Sequence, residues 1–232
     1  MKESQEIEKM TPDEIATRCA EEIVSRSQEK KPLLVAITGD SGSGKSFYSG
    51  LIRGNLDAMG KVYRYIDHDS FLISRQDREP MKTDYYQDGE FAGKSKWEIL
   101  ENMFRLDEYT RVIQALKANQ LATYLPYRRE TGTVDTTPIT IQPGEIVIFD
   151  TTMMLDHMDM VIEVDADMEK IIERKKQRDS DVRTPEQIED MHRRVQGYYW
   201  QRNKPNNADI VIDNNDFQNP KIATKTQVVH GV

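Results

Sequence analysis

Eight residues, Gly39-Asp40-Ser41-Gly42-Ser43-Gly44-Lys45-Ser46, restrict what this chain can fold into more than any other stretch. The pattern is a glycine, four residues, then Gly-Lys-Ser. It follows the apolar run Leu-Leu-Val-Ala-Ile-Thr at 33–38, which reads as a buried parallel strand. A helix is expected to open near Lys45 and run toward Met59 and Gly60. A strand that feeds a helix through such a loop makes an anion cradle. Its glycines let the backbone curl and present N–H groups to phosphate oxygens, and the helix adds its positive N-terminal end. Lys45 then reaches the β- and γ-phosphates of a nucleoside triphosphate, and the Ser46 hydroxyl ligates Mg²⁺. A GTPase reads guanine with Asn-Lys-x-Asp. The nearest counterpart here, Asn203-Lys204-Pro205-Asn206, lacks the final Asp, which counts against guanine.

The rest of the chain alternates between strand and helix patterns. Residues 11–27 read as a helix capped by Thr11, with Pro12 at its first position and Glu14 completing a capping box. Ile15, Cys19 and Ile23 make its apolar stripe. Strands are expected at 62–66, 145–150, 160–165 and 208–213, and helices at 97–118, 168–178 and 185–203. Residues 75–96 and 124–138 read as polar, irregular segments, and loops of that length are often functional. Alternation of this kind implies a parallel sheet covered on both faces. The expected fold is an α/β, P-loop NTPase-like three-layer fold with a mostly parallel central sheet and a small mobile lid. Residues 1–31 form an N-terminal helical extension, 32–213 the P-loop domain with a lid at about 174–186, and 214–232 a polar C-terminal tail.

Ligands of parallel α/β sheets sit at the carboxyl ends of the strands, so the acids there are candidates. Asp69 closes Asp67-His68-Asp69 after the second strand and suits a general base that takes a proton from an attacking hydroxyl. Asp150 ends the 145–150 strand and suits a place near Mg²⁺, with Ser46. Asp67 reads as a turn cap. Arg174, Lys175, Lys176, Arg178 and Arg183 form a basic cluster that ends in a polar segment, an arrangement fit for a lid closing over transferring phosphates.

Composition narrows the partners. The 232 residues carry a net charge of −8, which disfavours a general nucleic-acid binder and docking on an anionic membrane. No stretch approaches 18 apolar residues, so no membrane span is expected. A single cysteine, Cys19, points to a reducing compartment, and the cytoplasm is the expected location. A homo-oligomer is compatible with the sequence.

Taken in order over 33–213, these elements resemble the uridine kinase/phosphoribulokinase family of P-loop kinases. The resemblance rests on the phosphate loop, Asp69-Ser70-Phe71, Tyr127 after Pro126, and Ile139-Thr140-Ile141-Gln142-Pro143. It continues through the strand ending at Asp150, the stretch from Val164-Asp165-Ala166-Asp167 to Arg178-Asp179, and Ala208-Asp209-Ile210-Val211. It implies ATP-dependent phosphorylation of a small-molecule hydroxyl, with Asp69 as base and Arg174, Arg178 and Arg183 at lid positions. The chain departs from the family where acceptors are read. Asp84-Tyr85-Tyr86-Gln87-Asp88 stands for the usual Asn-(Tyr/Phe)-Asp-His-Pro, and Gly132 and Val134 stand for a His and an Arg. Asp150-Thr151 replaces Glu-Gly. These departures point away from uridine itself.

The expected function is therefore an ATP- and Mg²⁺-dependent kinase acting on a nucleoside-, sugar- or organic-acid-like acceptor. The loop, Lys45, Arg174, Arg178 and Arg183 handle phosphate, Asp69 deprotonates the acceptor hydroxyl, and Tyr85, Tyr86, Tyr127, Arg128 and Arg129 contact the acceptor. Two arginines there suit an anionic acceptor. The alternative is a nucleotide-binding regulatory protein that transfers no phosphate. A kinase of a macromolecular hydroxyl is a third reading.

Overall fold

The computed structural model describes residues 10–84, 101–142, 144, 146–181 and 183–223. Its centre is a six-stranded sheet in the order β10-β9-β8-β1-β7-β2. The strands are β1 (Leu33–Thr38), β2 (Tyr63–Asp67), β7 (Ile146–Asp150), β8 (Met160–Asp165), β9 (Ile210–Asp213) and β10 (Lys221–Ala223). All neighbours pair parallel except β10, which runs antiparallel to β9 at the edge. Two small antiparallel pairs lie outside the sheet. One joins β3 (Ala122–Tyr124) to β6 (Ile139–Ile141), and the other joins β4 (Tyr127–Arg128) to β5 (Thr133–Val134).

Helices cover both faces because every residue of β1 is buried. Leu33, Val35 and Ile37 face a layer made by α1 (Pro12–Glu29) and α2 (Lys45–Ala58). Leu34, with Val147 and Phe149, faces α4 (Leu106–Lys117) through Tyr109, Val112, Ile113 and Leu116. Alternation along a strand sorts neighbouring side chains into these two layers. Thr11 caps α1 in the expected capping box, and residues Ile15, Ala16, Cys19, Ala20 and Ile23 bury its stripe in the same core as β1.

The outline matches the sequence reading, with five differences, the first being that 124–138, read as irregular, holds β4 and β5. Residues 75–84, read as irregular, form α3 (Arg75–Asp84), while 85–96 lie outside the described residues. The helix expected over 97–118 is interrupted: Glu101 and Asn102 are helical, 103–105 are not, and α4 starts at Leu106, while 97–100 lie outside the described residues. Phe104 makes an isolated bridge to Leu72, and the Arg105 N–H donates to Phe71 O at 2.8 Å, so the chain leaves helical geometry before α4. Helix 185–203 is split into α6 (Pro185–Met191), a π turn (His192–Gln196) and α7 (Gly197–Asn203). The residues after 213 add β10 to the sheet, and Asn214 is fully buried. Between β8 and α6 runs α5 (Met168–Arg178), which carries the basic cluster. No helix among the described residues is long and apolar enough to cross a membrane.

Candidate active site

The phosphate loop leaves the carboxyl end of β1, at the centre of the sheet. It passes so close to its surroundings that side chains are excluded. A Cβ on Gly39 would stand 2.4 Å from Val164 O, and one on Gly44 would stand 2.5 Å from Asn214 Nδ2. Gly44 also has φ +105 and opens α2 from the left-handed region, which glycine alone adopts at low cost.

Asn214 is the loop's outer clamp. Its Nδ2 donates to Ser43 O at 2.6 Å, and its own N–H donates to Asp165 O at 2.8 Å. Arg174 donates to Asn214 O at 2.5 Å. Sequence reasoning passed Asn214 over as the start of a polar tail. The available signal was an amide directly after a strand whose carboxyl end meets the loop. Asn214→Ala is expected to cost about 1–3 kcal/mol, because the Ser43 carbonyl loses its short donor and keeps the 3.4 Å contact from Arg174. Denaturant melts measure that loss, and a weaker ATP affinity at unchanged kcat should accompany it.

The loop lines a cavity of about 790 Å³ that also collects His68, Asp69, Arg129, Arg174, Lys175 and Arg178. Asp150 lies beneath, 3% exposed, and forms an ion pair with Lys45 Nζ. The Tyr65 hydroxyl is 3.4 Å from its second oxygen. Burial pulls the Lys45 ammonium below the usual lysine range, although Asp67 and Asp69 oppose this. His68 Nδ1 lies 2.9 Å from Asp150 O. A carbonyl only accepts, so Nδ1 carries a proton; burial lowers the imidazole pKa, and the Asp69 carboxylate opposes that fall.

Asp69 sits in the short helical turn after β2, held by its N–H donating to Asp67 Oδ1 at 2.9 Å; Asp67 is thus the turn cap the sequence suggested. Arg129 reaches from the β4–β5 connection to form an ion pair with the Asp69 carboxylate. Burial alone would raise the Asp69 pKa. The neighbouring His68, Arg129 and Lys45 outweigh it and hold the carboxyl below its ordinary range. Asp67, His68 and Asp69 also bring donor atoms within 4.8 Å of one another.

The other expected residues divide. From α5, Arg174 and Arg178 face the cavity. Arg178 is also bound by Asp179 at 2.7 and 2.9 Å. Arg183 is exposed and does not line the cavity. Neither do Tyr127 and Arg128. Tyr127 packs against Leu72 and Met103 with the Arg78 guanidinium over its ring, and Arg128 pairs with Asp135 at 3.0 Å. Tyr85 and Tyr86 lie outside the described residues. Lys175, read as one charge among several in the basic cluster, is 1% exposed.

A lysine-bearing phosphate loop near the midpoint of a mostly parallel sheet, with helices on both faces, defines a P-loop nucleotide-binding protein of the α/β class. The chain belongs to the phosphoribulokinase/uridine kinase family, whose model matches residues 34–217. It is accordingly a kinase with a small-molecule hydroxyl as acceptor. Solved structures share the fold. D-glycerate 3-kinase from Cryptococcus neoformans superposes with a TM-score of 0.65 at 14% identity, covering 90% of this chain and 99% of that one. A putative fructose transport system kinase from a Silicibacter species gives 0.60 at 17%, covering 84% and 94%. Phosphoribulokinase from Rhodobacter spheroides gives 0.58 at 15%, covering 80% and 70%. No curated protein is significantly similar in sequence.

Proposed function

We propose that this kinase transfers the γ-phosphate of ATP to a hydroxyl of a small anionic acceptor, with Asp69 as the base. The observation that carries the reading is the placement of Asp69 in the wall of the cavity that the phosphate loop lines. The family name spans a nucleoside and a sugar phosphate, so membership does not choose the acceptor. The Arg129–Asp69 pair supports an anion. A neutral alcohol entering beside Asp69 would meet a base already engaged by a guanidinium. A carboxylate or phosphate group on the acceptor gives Arg129 another partner and frees Asp69.

The residues present fit Mg²⁺. The Ser46 hydroxyl and Asp150 carboxylate are hard oxygen donors, the kind that ion takes alongside several waters. Bound there, Mg²⁺ would offset negative charge on the β- and γ-phosphates. The chain supplies the rest. Loop N–H groups hold the phosphates, Lys45 exchanges Asp150 for phosphate oxygens, and Arg174 and Arg178 face the group in transfer. Asp69 accepts the hydroxyl proton as the new O–P bond forms, and ADP leaves with the electron pair of the broken bond.

The test is to supply γ-labelled ATP with a metabolite extract and identify the labelled product by mass spectrometry. A phosphorylated alcohol that also carries an anionic group supports the reading. Release of inorganic phosphate alone, across extracts and purified acceptors, rejects it. A pH profile examines Arg129. Asp69 must be ionised to act, and its pKa is held low, so the acid limb of kcat/KM should lie below the ordinary carboxylate range. Arg129→Gln removes a cation that favours the ionised form, so the limb should move up toward neutrality. An unmoved limb would separate Arg129 from the base.

A further inference from the structure

Beside the phosphate loop runs a line of buried polar side chains that the transfer step does not use. Asp40, the loop's second residue, is 5% exposed, His192 is 0% and Lys175 is 1%. His192 Nε2 stands 3.3 Å from Asp40 Oδ2, and His192 Nδ1 stands 2.9 Å from Lys175 Nζ. Lys175 Nζ also donates to Gln196 Oε1. An ammonium only donates, so Nδ1 accepts and the imidazole proton lies on Nε2, facing Asp40. The line holds one ammonium, one neutral imidazole and one carboxylate, and is neutral in sum. Loss of the ammonium proton would leave a net negative charge beside a loop that must hold phosphate anions.

The backbone is shaped around this line. His192 opens the π turn, which closes through a Gly197 N–H donating to His192 O. Single π turns often mark functional positions, and this one sets His192 and Gln196 on the same ammonium. A Cβ on Gly197 would stand 3.2 Å from His192 O and 3.4 Å from Nε2, so the ring rests against bare backbone. On the other side, the Lys175 stem covers the loop. A Cβ on Gly42 would stand 3.1 Å from Lys175 Cε.

We propose that Asp40, His192 and Lys175 are a positioning relay that holds the phosphate loop in its anion-binding shape only while Lys175 keeps its proton. This rests on the reading that the loop binds ATP. Burial pushes the Lys175 ammonium down to about 8. Asp40 and Asp179 oppose the fall, while Arg178 and Arg183 add to it. Arg174 and Lys45 face the same cavity.

Calorimetric titration with Mg·ATP from pH 6.5 to 9.5 tests the relay. Wild-type affinity should hold to about pH 8 and then fall about tenfold per pH unit, with proton uptake on binding in that upper range. Proton uptake is read by comparing two buffers and needs no variant. Lys175→Arg should keep binding at neutral pH and lose the alkaline limb, because a guanidinium does not titrate there. Lys175→Met should bind about tenfold or more weakly at pH 7, without the limb. A flat wild-type profile with no proton uptake overturns the relay. So does an alkaline limb that survives Lys175→Arg, which would assign it to Lys45. A purely structural Lys175 would give Lys175→Met weaker by one factor at every pH, with the wild-type limb intact. Wild-type protein that fails to bind ATP at pH 7 sinks the nucleotide reading, and the relay with it.

Discussion

Asp69→Asn is expected to lower phosphoryl transfer by about 10²- to 10⁴-fold, the range assigned to a positioned general base, while ATP binds within about threefold of wild type. The amide keeps the size of the carboxylate and still accepts a hydrogen bond from Arg129, but it takes no proton from a hydroxyl. The phosphate loop is untouched, because its contacts run through Asn214, Arg174 and the β8 end rather than through Asp69. The side chain of Asp69 is 30% exposed, so its ion pair is partly screened and folding should change little. Transfer to an identified acceptor by coupled assay, with ATP affinity by calorimetry, separates the two effects. Turnover equal to wild type would remove Asp69 as the base and move attention to Asp67, two residues away on the same turn. Loss of ATP binding would mean that Asp69 serves the nucleotide instead.

The parts of the site that local chemistry dictates were legible in the sequence. The loop announces itself because few residue types can curl around phosphate, and β1 because an all-buried strand reads as a continuous apolar run. Thr11 with Glu14 forms the expected capping box and sets that helix start within one residue. What stayed hidden depends on residues distant in sequence. The break before α4 comes from Arg105 reaching Ser70 O and Phe71 O, which no helical period can show. Lys175 stands among Arg174, Lys176 and Arg178, and one-dimensional reading puts all four in one basic cluster fit for a lid. Only the packing of the π turn over α5 separates the buried one. Asn214 and β10 were hidden by polar neighbours, since a three-residue edge strand needs no apolar run. Arg129 was found for its charge, but its partner Asp69 is 60 residues away.

Lys45→Met should separate stability from catalysis at the centre of the site. Lys45 and Asp150 are 14% and 4% exposed, so the substitution strands a carboxylate inside the protein, with the Tyr65 hydroxyl 3.4 Å from one oxygen. Breaking one side of a buried pair costs about 3–5 kcal/mol, and replacing both sides costs far less. Lys45→Met alone is therefore expected to lower stability by that amount, and Lys45→Met with Asp150→Asn should recover most of it. Catalysis should not follow. Removing a cation aimed at the transferring phosphate costs about 10²- to 10³-fold in kcat, and a neutral residue at 150 restores nothing while also weakening the proposed Mg²⁺ position. The cycle of four proteins should thus show strong coupling in denaturant melts and none that rescues turnover. Equal stability of Lys45→Met and wild type would show that Asp150 is not left unpaired. Wild-type turnover in Lys45→Met would place the phosphate contact on another cation, with Arg174 and Arg178 the next in the cavity wall.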